Sequence, residues 1–132
     1  MIEEGRALFL QIAESVEDSI VEGMLAEEAQ APSTNELAAF YRINPATAAK
    51  GIAMLVDKGV LYKRRGIGMF VSTGAREGLL AERRAAFADR YVGPLLAEGR
   101  KLGLGPDELA DLVRTRAIAA AGEASVNEGN AR

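Results

Sequence analysis

Three consecutive cations, Lys63, Arg64 and Arg65, give the chain its clearest chemical signal. They follow a run of β-forming residues and precede Gly66 and Gly68, which can adopt the positive φ of a tight turn. This pattern predicts a β-hairpin with cations and the Gly66 backbone at its tip, where they can contact DNA phosphates or a minor groove. The alternative interpretation is a solvated hairpin tip without a ligand.

A second group of polar side chains lies upstream, at the start of a predicted helix. Asn44 can cap this helix and Pro45 can occupy its first position. One face then carries Ala46, Thr47 and Lys50. The small side chain of Ala46 lets the backbone approach a partner closely, and the other two residues are hydrogen-bond donors. This face is expected to contact DNA, and an ordinary surface helix is the alternative.

A shorter helix is predicted just before it. Ser33 and Glu36 have the spacing of a capping box, so this helix should begin at about Thr34 and end before Pro45. Helix, turn, helix and hairpin together follow the layout of a winged helix-turn-helix, which lays its second helix in the DNA major groove. At the start of the shorter helix, Ser33 and Asn35 are then candidates for phosphate contacts.

The net charge of −3 is distributed unevenly along the chain. Residues 1–41 hold nine acids and one cation, a net charge of −8, whereas residues 42–65 hold six cations and one acid, a net charge of +5. Residues 66–132 hold nine of each. Because charges act over roughly 8 Å at physiological salt, the local basic segment matters more to a bound polyanion than the total charge.

Several classes of function are disfavoured by composition. The chain has no cysteine and no histidine, which removes disulfides, thiolate chemistry, the usual zinc ligands and histidine-based acid–base catalysis. We therefore expect neither an enzyme nor a metal or cofactor. No apolar run approaches the roughly 20 residues of a membrane span, and the acidic start is not typical of a signal peptide. A cytoplasmic protein without a membrane partner is expected.

Several segments in order, Ala31–Ala38, Asn44–Thr47, Gly59–Leu61 and Arg64–Val71, resemble the DNA-binding domain of GntR-family bacterial transcription regulators. The resemblance covers about residues 6–73. The Asn-Pro-Ala-Thr sequence and the short remainder resemble the YtrA-like subfamily in particular. This resemblance implies a transcription regulator, most often a repressor, that binds double-stranded DNA.

The residues that match the family's DNA-contacting positions are Thr47, Lys50, Arg64 and Gly66. At three other positions, 35, 45 and 49, the family usually has arginine and this chain has asparagine, proline and alanine. The alternative function is therefore a winged-helix protein-interaction module with weak or non-specific DNA binding.

After the hairpin, residues from Ala75 onward show a helical pattern. A stripe of large apolar residues runs along one face: Leu80, Phe87, Tyr91 and Leu95. Pro94 should kink or divide this helix. A last helix beginning at residues 106–108 should turn Leu109, Leu112, Val113 and Ala117 inward.

The stripe predicts a homodimer, with packing inside one chain as the alternative. The resemblance implies the same two-helix dimerisation tail, and a two-fold dimer would bind an operator with inverted repeats. A small-molecule effector is also conceivable, and the seam around Phe87 and Tyr91 is where we would expect it.

The predicted architecture is mainly α with a small β-hairpin, a winged helix-turn-helix followed by a short helical dimerisation tail. Residues 1–74 are assigned to the DNA-binding domain and residues 75–121 to the dimerisation region. Residues 122–132 contain too little apolar surface to order themselves and are predicted to form a disordered tail.

Overall fold

A computed structural model describes the backbone of residues 6–130 and the side chains of residues 6–124. Helices in this range are α1 (Leu8–Val21), α2 (Thr34–Tyr41), α3 (Pro45–Asp57), α4 (Ala75–Phe87), α5 (Gly93–Lys101) and α6 (Pro106–Asn130), with a π-helical segment at Ala88–Val92. Strands β1 (Leu61–Arg64) and β2 (Gly68–Val71) form an antiparallel hairpin. The predicted fold class, mainly helical with one hairpin in a winged helix-turn-helix, is confirmed.

The capping chemistry places α2 and α3 where the sequence predicted them. The Glu36 amide donates to Ser33 Oγ over 3.1 Å, and the Ser33 amide donates to Glu36 Oε1 over 3.1 Å, which completes the capping box. Asn44 Oδ1 accepts from the Ala46 amide over 2.8 Å. Between the helices, Arg42 takes a left-handed conformation with φ of 55°, which turns the chain.

The chain divides into two compact units, Met1–Arg83 and Arg84–Arg132. In the first unit, the buried faces of α1 and α3 meet in the apolar core and contribute Ile12, Val16, Ile20, Ala48, Ile52 and Leu55 to it. The two helices approach closely at Gly51, where an added Cβ would lie 2.8 Å from the Phe9 carbonyl oxygen. The close approach at this glycine thus fixes α3 against α1.

The hairpin is extended by a third backbone segment. The Ala31 amide donates to the Met69 carbonyl over 2.8 Å, and the Val71 amide donates to the Ala29 carbonyl over 3.0 Å. Gln30 Nε2 also donates to the Ile67 carbonyl over 3.1 Å, at the hairpin tip. The sequence indicated only a connector here, because pairing partners about 40 residues apart leave no local pattern.

The predicted domain boundary at residue 74 coincides with the start of α4, whereas the compact units divide after Arg83. The first turns of α4 are tied to the first unit by side chains. Arg83 Nη2 donates to Asp18 Oδ1 over 2.6 Å, and Arg76 Nε donates to the Val21 carbonyl over 3.0 Å.

The second unit contains the break that Pro94 predicted. The π-helical segment Ala88–Val92 precedes this proline, and α5 begins beside it. Helices α5 and α6 pack at Gly99, where an added Cβ would lie 2.7 Å from Leu109 Cδ1.

Leu109 is buried as predicted, but the inward positions of the other three α6 residues, Leu112, Val113 and Ala117, were predicted wrongly. Leu112 is 48% exposed and Val113 is 56% exposed, because α6 packs against α5 only near its start.

Helix α6 continues through Gly122 to Asn130, beyond the end expected from the sequence. The alanine-rich run before Gly122 favours helix, and one glycine costs only about 1 kcal/mol in a helix interior. Residues 131–132 and the side chains of residues 125–130 lie outside the described residues, and the disorder of the tail stays a prediction.

Within the described residues, no helix is both long enough and apolar enough to cross a bilayer.

Candidate nucleic-acid interface

The start of α3 presents the polar face that the sequence singled out. Asn44, Ala46 and Lys50 are exposed and Thr47 is half-buried, whereas Ala48 on the opposite side is fully buried. Lys50 Nζ lies 3.9 Å from the centroid of the Phe9 ring, which holds the ammonium by a cation–π contact. The lysine therefore stays exposed to solvent, while an α1 side chain limits where its ammonium group can point.

Arg64 on β1 is held by aromatic rings in a similar way. Its Cζ lies 4.1 Å from the Phe70 ring centroid and 5.7 Å from that of Tyr62. Its Nη2 also donates to the Tyr62 hydroxyl over 3.1 Å. Because only part of the guanidinium is engaged, its remaining donors are available to an anion.

Glu28 completes this cluster from the connector between α1 and α2. Its carboxylate accepts hydrogen bonds from the Tyr62 hydroxyl and, over 2.7 Å, from Thr73 Oγ1. Arg64 Nη2 lies 3.7 Å from Glu28 Oε1, a solvent-exposed ion pair. The hydrogen bond from Tyr62, then that from Thr73 and the charge of Arg64, lower the pKa of Glu28 below its usual value.

The other predicted contacts lie at the two flanks. At the start of α2, Ser33 and Asn35 are exposed, and α2 packs against α3. At the hairpin tip, Lys63 and Arg65 are exposed and form no ion pair with the described part of the chain. Gly66 is also exposed there, with φ of 77° as a tight turn requires.

One cation of the basic segment is turned toward carboxylates. Lys58 Nζ donates to Glu17 Oε2 over 2.6 Å and to Glu82 Oε1 over 3.0 Å, which links the end of α3 to α1 and α4. Burial alone would lower the pKa of Lys58, but these two hydrogen bonds outweigh it and raise the pKa. The net charge of +5 over residues 42–65 thus overstates how much positive charge of this segment is free to contact a polyanion.

Sequence reasoning missed the groups that hold the two cations in place: Phe9, Phe70, Tyr62, Glu28 and Thr73. Each of these residues lies between 2 and 45 positions along the sequence from the residue whose side chain it contacts. The only local signal is the alternation along β1, which puts Tyr62 and Arg64 on the same face of the strand.

The predicted dimerisation residues are half-buried or exposed within the chain. Leu80 is half-buried in the first unit. In the second unit, Phe87 is 60%, Tyr91 52% and Leu95 41% exposed, and the two aromatic rings lie 5.1 Å apart.

Comparisons with known proteins agree with this architecture. A family model described as bacterial regulatory proteins, gntR family, matches residues 8–71. The crystal structure of a putative GntR-family transcriptional regulator from Bacteroides thetaiotaomicron superposes with a TM-score of 0.71 at 30% identity, and the match covers 86% of this chain and 99% of that one. The chain belongs to the GntR family.

Two HTH-type transcriptional regulators from Bacillus subtilis match about half of this chain. The uncharacterized HTH-type transcriptional regulator YurK is 33% identical over 66 residues, or 50% of this chain and 27% of that protein. The HTH-type transcriptional repressor NagR is 33% identical over 73 residues, or 55% of this chain and 30% of that protein. The chain therefore spans under a third of the length of these two relatives.

Proposed function

We propose that this GntR-family chain is a homodimeric, sequence-specific DNA-binding repressor of transcription that recognises an operator with inverted repeats. The observation that carries the DNA-binding part is the paired arrangement of Lys50 and Arg64. Each is an exposed cation held over an aromatic ring, one on the recognition helix and one on the wing. Cations fixed in this way lose less side-chain freedom on binding.

In the proposed complex, α3 enters the major groove. Thr47 and Lys50 face base edges there, and the backbone at Asn44 and Ala46 comes close to the DNA because neither residue is bulky. At the start of α2, Ser33 and Asn35 lie near a phosphate.

The wing supplies the second set of contacts. Lys63, Arg64, Arg65 and the backbone amide of Gly66 reach the adjacent phosphates or the minor groove. These contacts position the protein on the duplex, whereas the contacts of α3 specify the sequence.

The repressor and dimer parts of the proposal rest on different support. One relative that matches about half of this chain is named a transcriptional repressor, and the sequence resembles the YtrA-like subfamily. The exposed stripe of Phe87, Tyr91 and Leu95 provides apolar surface for a second copy of the chain. A two-fold dimer presents two copies of α3, which matches an inverted repeat.

Fluorescence anisotropy on a fragment from upstream of the chain's own gene tests the proposal, with a scrambled duplex and a salt series beside it. Preference for the native fragment and a log–log salt slope of several units are expected. Lys50→Ala and Arg64→Ala should each weaken binding roughly tenfold, about 1.4 kcal/mol. Arg100→Ala, which removes an exposed cation of the second unit, is the matched control and should leave affinity unchanged.

If the upstream fragment is not preferred, selection on random duplexes follows with the same variants. Failure to enrich any sequence there would reject the proposal and favour the protein-interaction module. Equal DNA affinities of Lys50→Ala and Arg100→Ala would also reject the proposal.

A further inference from the structure

An open groove lies in the first unit between α1 and α2. Its volume is about 510 Å³, within the range of roughly 300–1,000 Å³ typical of small-molecule sites. Neither Phe87 nor Tyr91, where the sequence suggested an effector, is among its lining residues, and none of the DNA contacts proposed above lines it.

The walls of the groove are apolar and unusually exposed. Phe40 is 79% exposed and Met24 is 80% exposed, and both residues line the groove. Phe40 and Tyr41 form an edge-to-face pair with ring centroids 4.9 Å apart. The Tyr41 hydroxyl is hydrogen-bonded to Ser15 Oγ, so this polar group inside the groove is already satisfied. The walls thus offer aromatic surface rather than free hydrogen-bonding groups.

Glu36 is the one charged residue among those that line the groove. Its carboxylate accepts the hydrogen bond of the Ser33 amide, which lowers its pKa below the usual value and keeps it ionised at neutral pH. Among the described residues, no cation forms an ion pair with it.

Aromatic rings beside an unpaired carboxylate are suited to one class of ligand. Aromatic faces attract organic ammonium ions, and the carboxylate adds a charge of opposite sign. A carboxylate or phosphate ligand would instead meet repulsion. We propose that this groove is a binding site for a small organic cation, an ammonium carried on an apolar body, with Phe40 and Tyr41 as its aromatic wall and Glu36 as its counter-charge. The proposal does not depend on DNA binding.

Titration of the full-length protein with benzyltriethylammonium chloride tests this site by calorimetry and by amide chemical shifts. Saturable binding is expected, with the shifts concentrated at groove residues such as Met24, Leu25 and Phe40. Phenylbutyrate, of similar size and opposite charge, should not bind. Absence of saturation with the cation, or equal binding of the anion, would overturn the proposal.

Two variants with a control separate the site from general electrostatic attraction. Glu36→Gln removes the charge, and glutamine can still complete the capping box, so the fold should be kept. It should weaken cation binding at least fivefold, as should Phe40→Ala, which shortens an exposed side chain. Glu77→Gln removes an exposed acid on α4 and should leave binding unchanged. Equal affinities of Glu36→Gln and Glu77→Gln would reject the groove as the site.

Discussion

At the scale of single residues, the common feature of the proposed interface is a cation backed by an aromatic ring. Lys50 lies over Phe9 and Arg64 lies over Phe70. A solvent-exposed cation–π contact contributes only about 0.5–1 kcal/mol. Its main effect here is geometric, because a long side chain that is restricted before binding loses less entropy when it meets a phosphate. Both cations could be identified from the sequence as candidate contacts, but the rings that hold them could not.

The Tyr62 hydroxyl should matter for DNA binding although it is not a proposed DNA contact. It accepts from Arg64 and donates to Glu28, so Tyr62→Phe removes both hydrogen bonds and keeps the ring. We expect DNA affinity to fall about two- to sixfold, which corresponds to roughly 0.5–1 kcal/mol for a lost positioning hydrogen bond. Fluorescence anisotropy measures this affinity on the DNA fragment that the natural chain prefers. Tyr41→Phe is the matched control, because it removes a hydroxyl that is bonded to Ser15 outside the proposed DNA contacts. Equal affinities of the two variants would show that Tyr62 does not position Arg64.

Glu28 should make stability depend on acid pH. Its pKa is lowered in the folded chain, chiefly by Tyr62 and then Thr73, relative to a usual value of 4.5. The ionised carboxylate therefore favours the fold above pH 4.5, and this contribution is lost as the pH falls through the lowered folded-state pKa. The difference in Tm between the natural chain and Glu28→Gln should be larger at pH 7 than at pH 3.

The other carboxylates titrate in both proteins, so this comparison isolates position 28. A Tm difference that stays constant between the two pH values would contradict the assignment of the shift to Glu28.

At the scale of elements, the helices could be predicted where their signals are local. The capping box at Ser33 and the cap at Asn44 operate within two or three residues, so the sequence located the starts of α2 and α3. The strand-like pairing at residues 29–31 could not be found, because its partners lie on β2. The exposure of Leu112 also escaped prediction, since periodicity indicates an apolar face and does not say what covers it.

The close approach of α1 and α3 should make position 51 intolerant of a side chain. In Gly51→Ala the Cβ would lie 2.8 Å from the Phe9 carbonyl oxygen, and backbone cannot move away cheaply. We expect the free energy of unfolding to fall by about 1–3 kcal/mol, as for other overpacked sites. Urea denaturation at equilibrium measures this change.

Gly78→Ala in α4 is the control for helix propensity, because its added Cβ would meet no atom within 4 Å. Alanine is favoured over glycine inside a helix by about 1 kcal/mol, so this variant should be neutral or more stable. If Gly51→Ala were also neutral, the helix packing described here would be wrong at that point.

At the scale of the whole molecule, charge is divided so that the acidic first 41 residues and the basic segment 42–65 belong to one compact unit. Some of these opposite charges pair with each other inside the unit, since Lys58 forms ion pairs with Glu17 and Glu82. The remaining cations lie near the start of α3 and on the hairpin, so a protein with net charge −3 can still present a basic surface to DNA.

If the chain forms the proposed dimer, the exposed apolar stripe of the second unit should be buried between the two copies. Phe87→Glu and Tyr91→Glu each place a charge where a second copy would bury an aromatic ring, and such a charge is costly to desolvate. Sedimentation velocity should show the natural chain as a dimer and both variants as monomers. Met24→Glu changes an even more exposed apolar residue, which lies in the first unit, and this variant should remain dimeric. The dimer should bind an inverted repeat more tightly than a single half-site, because linking two recognition helices raises the effective concentration of the second one. The monomeric variants should show no such difference in DNA affinity. Monomeric behaviour of the natural chain at micromolar concentration would reject the dimer, whereas binding to a single half-site through Lys50 and Arg64 would still be expected.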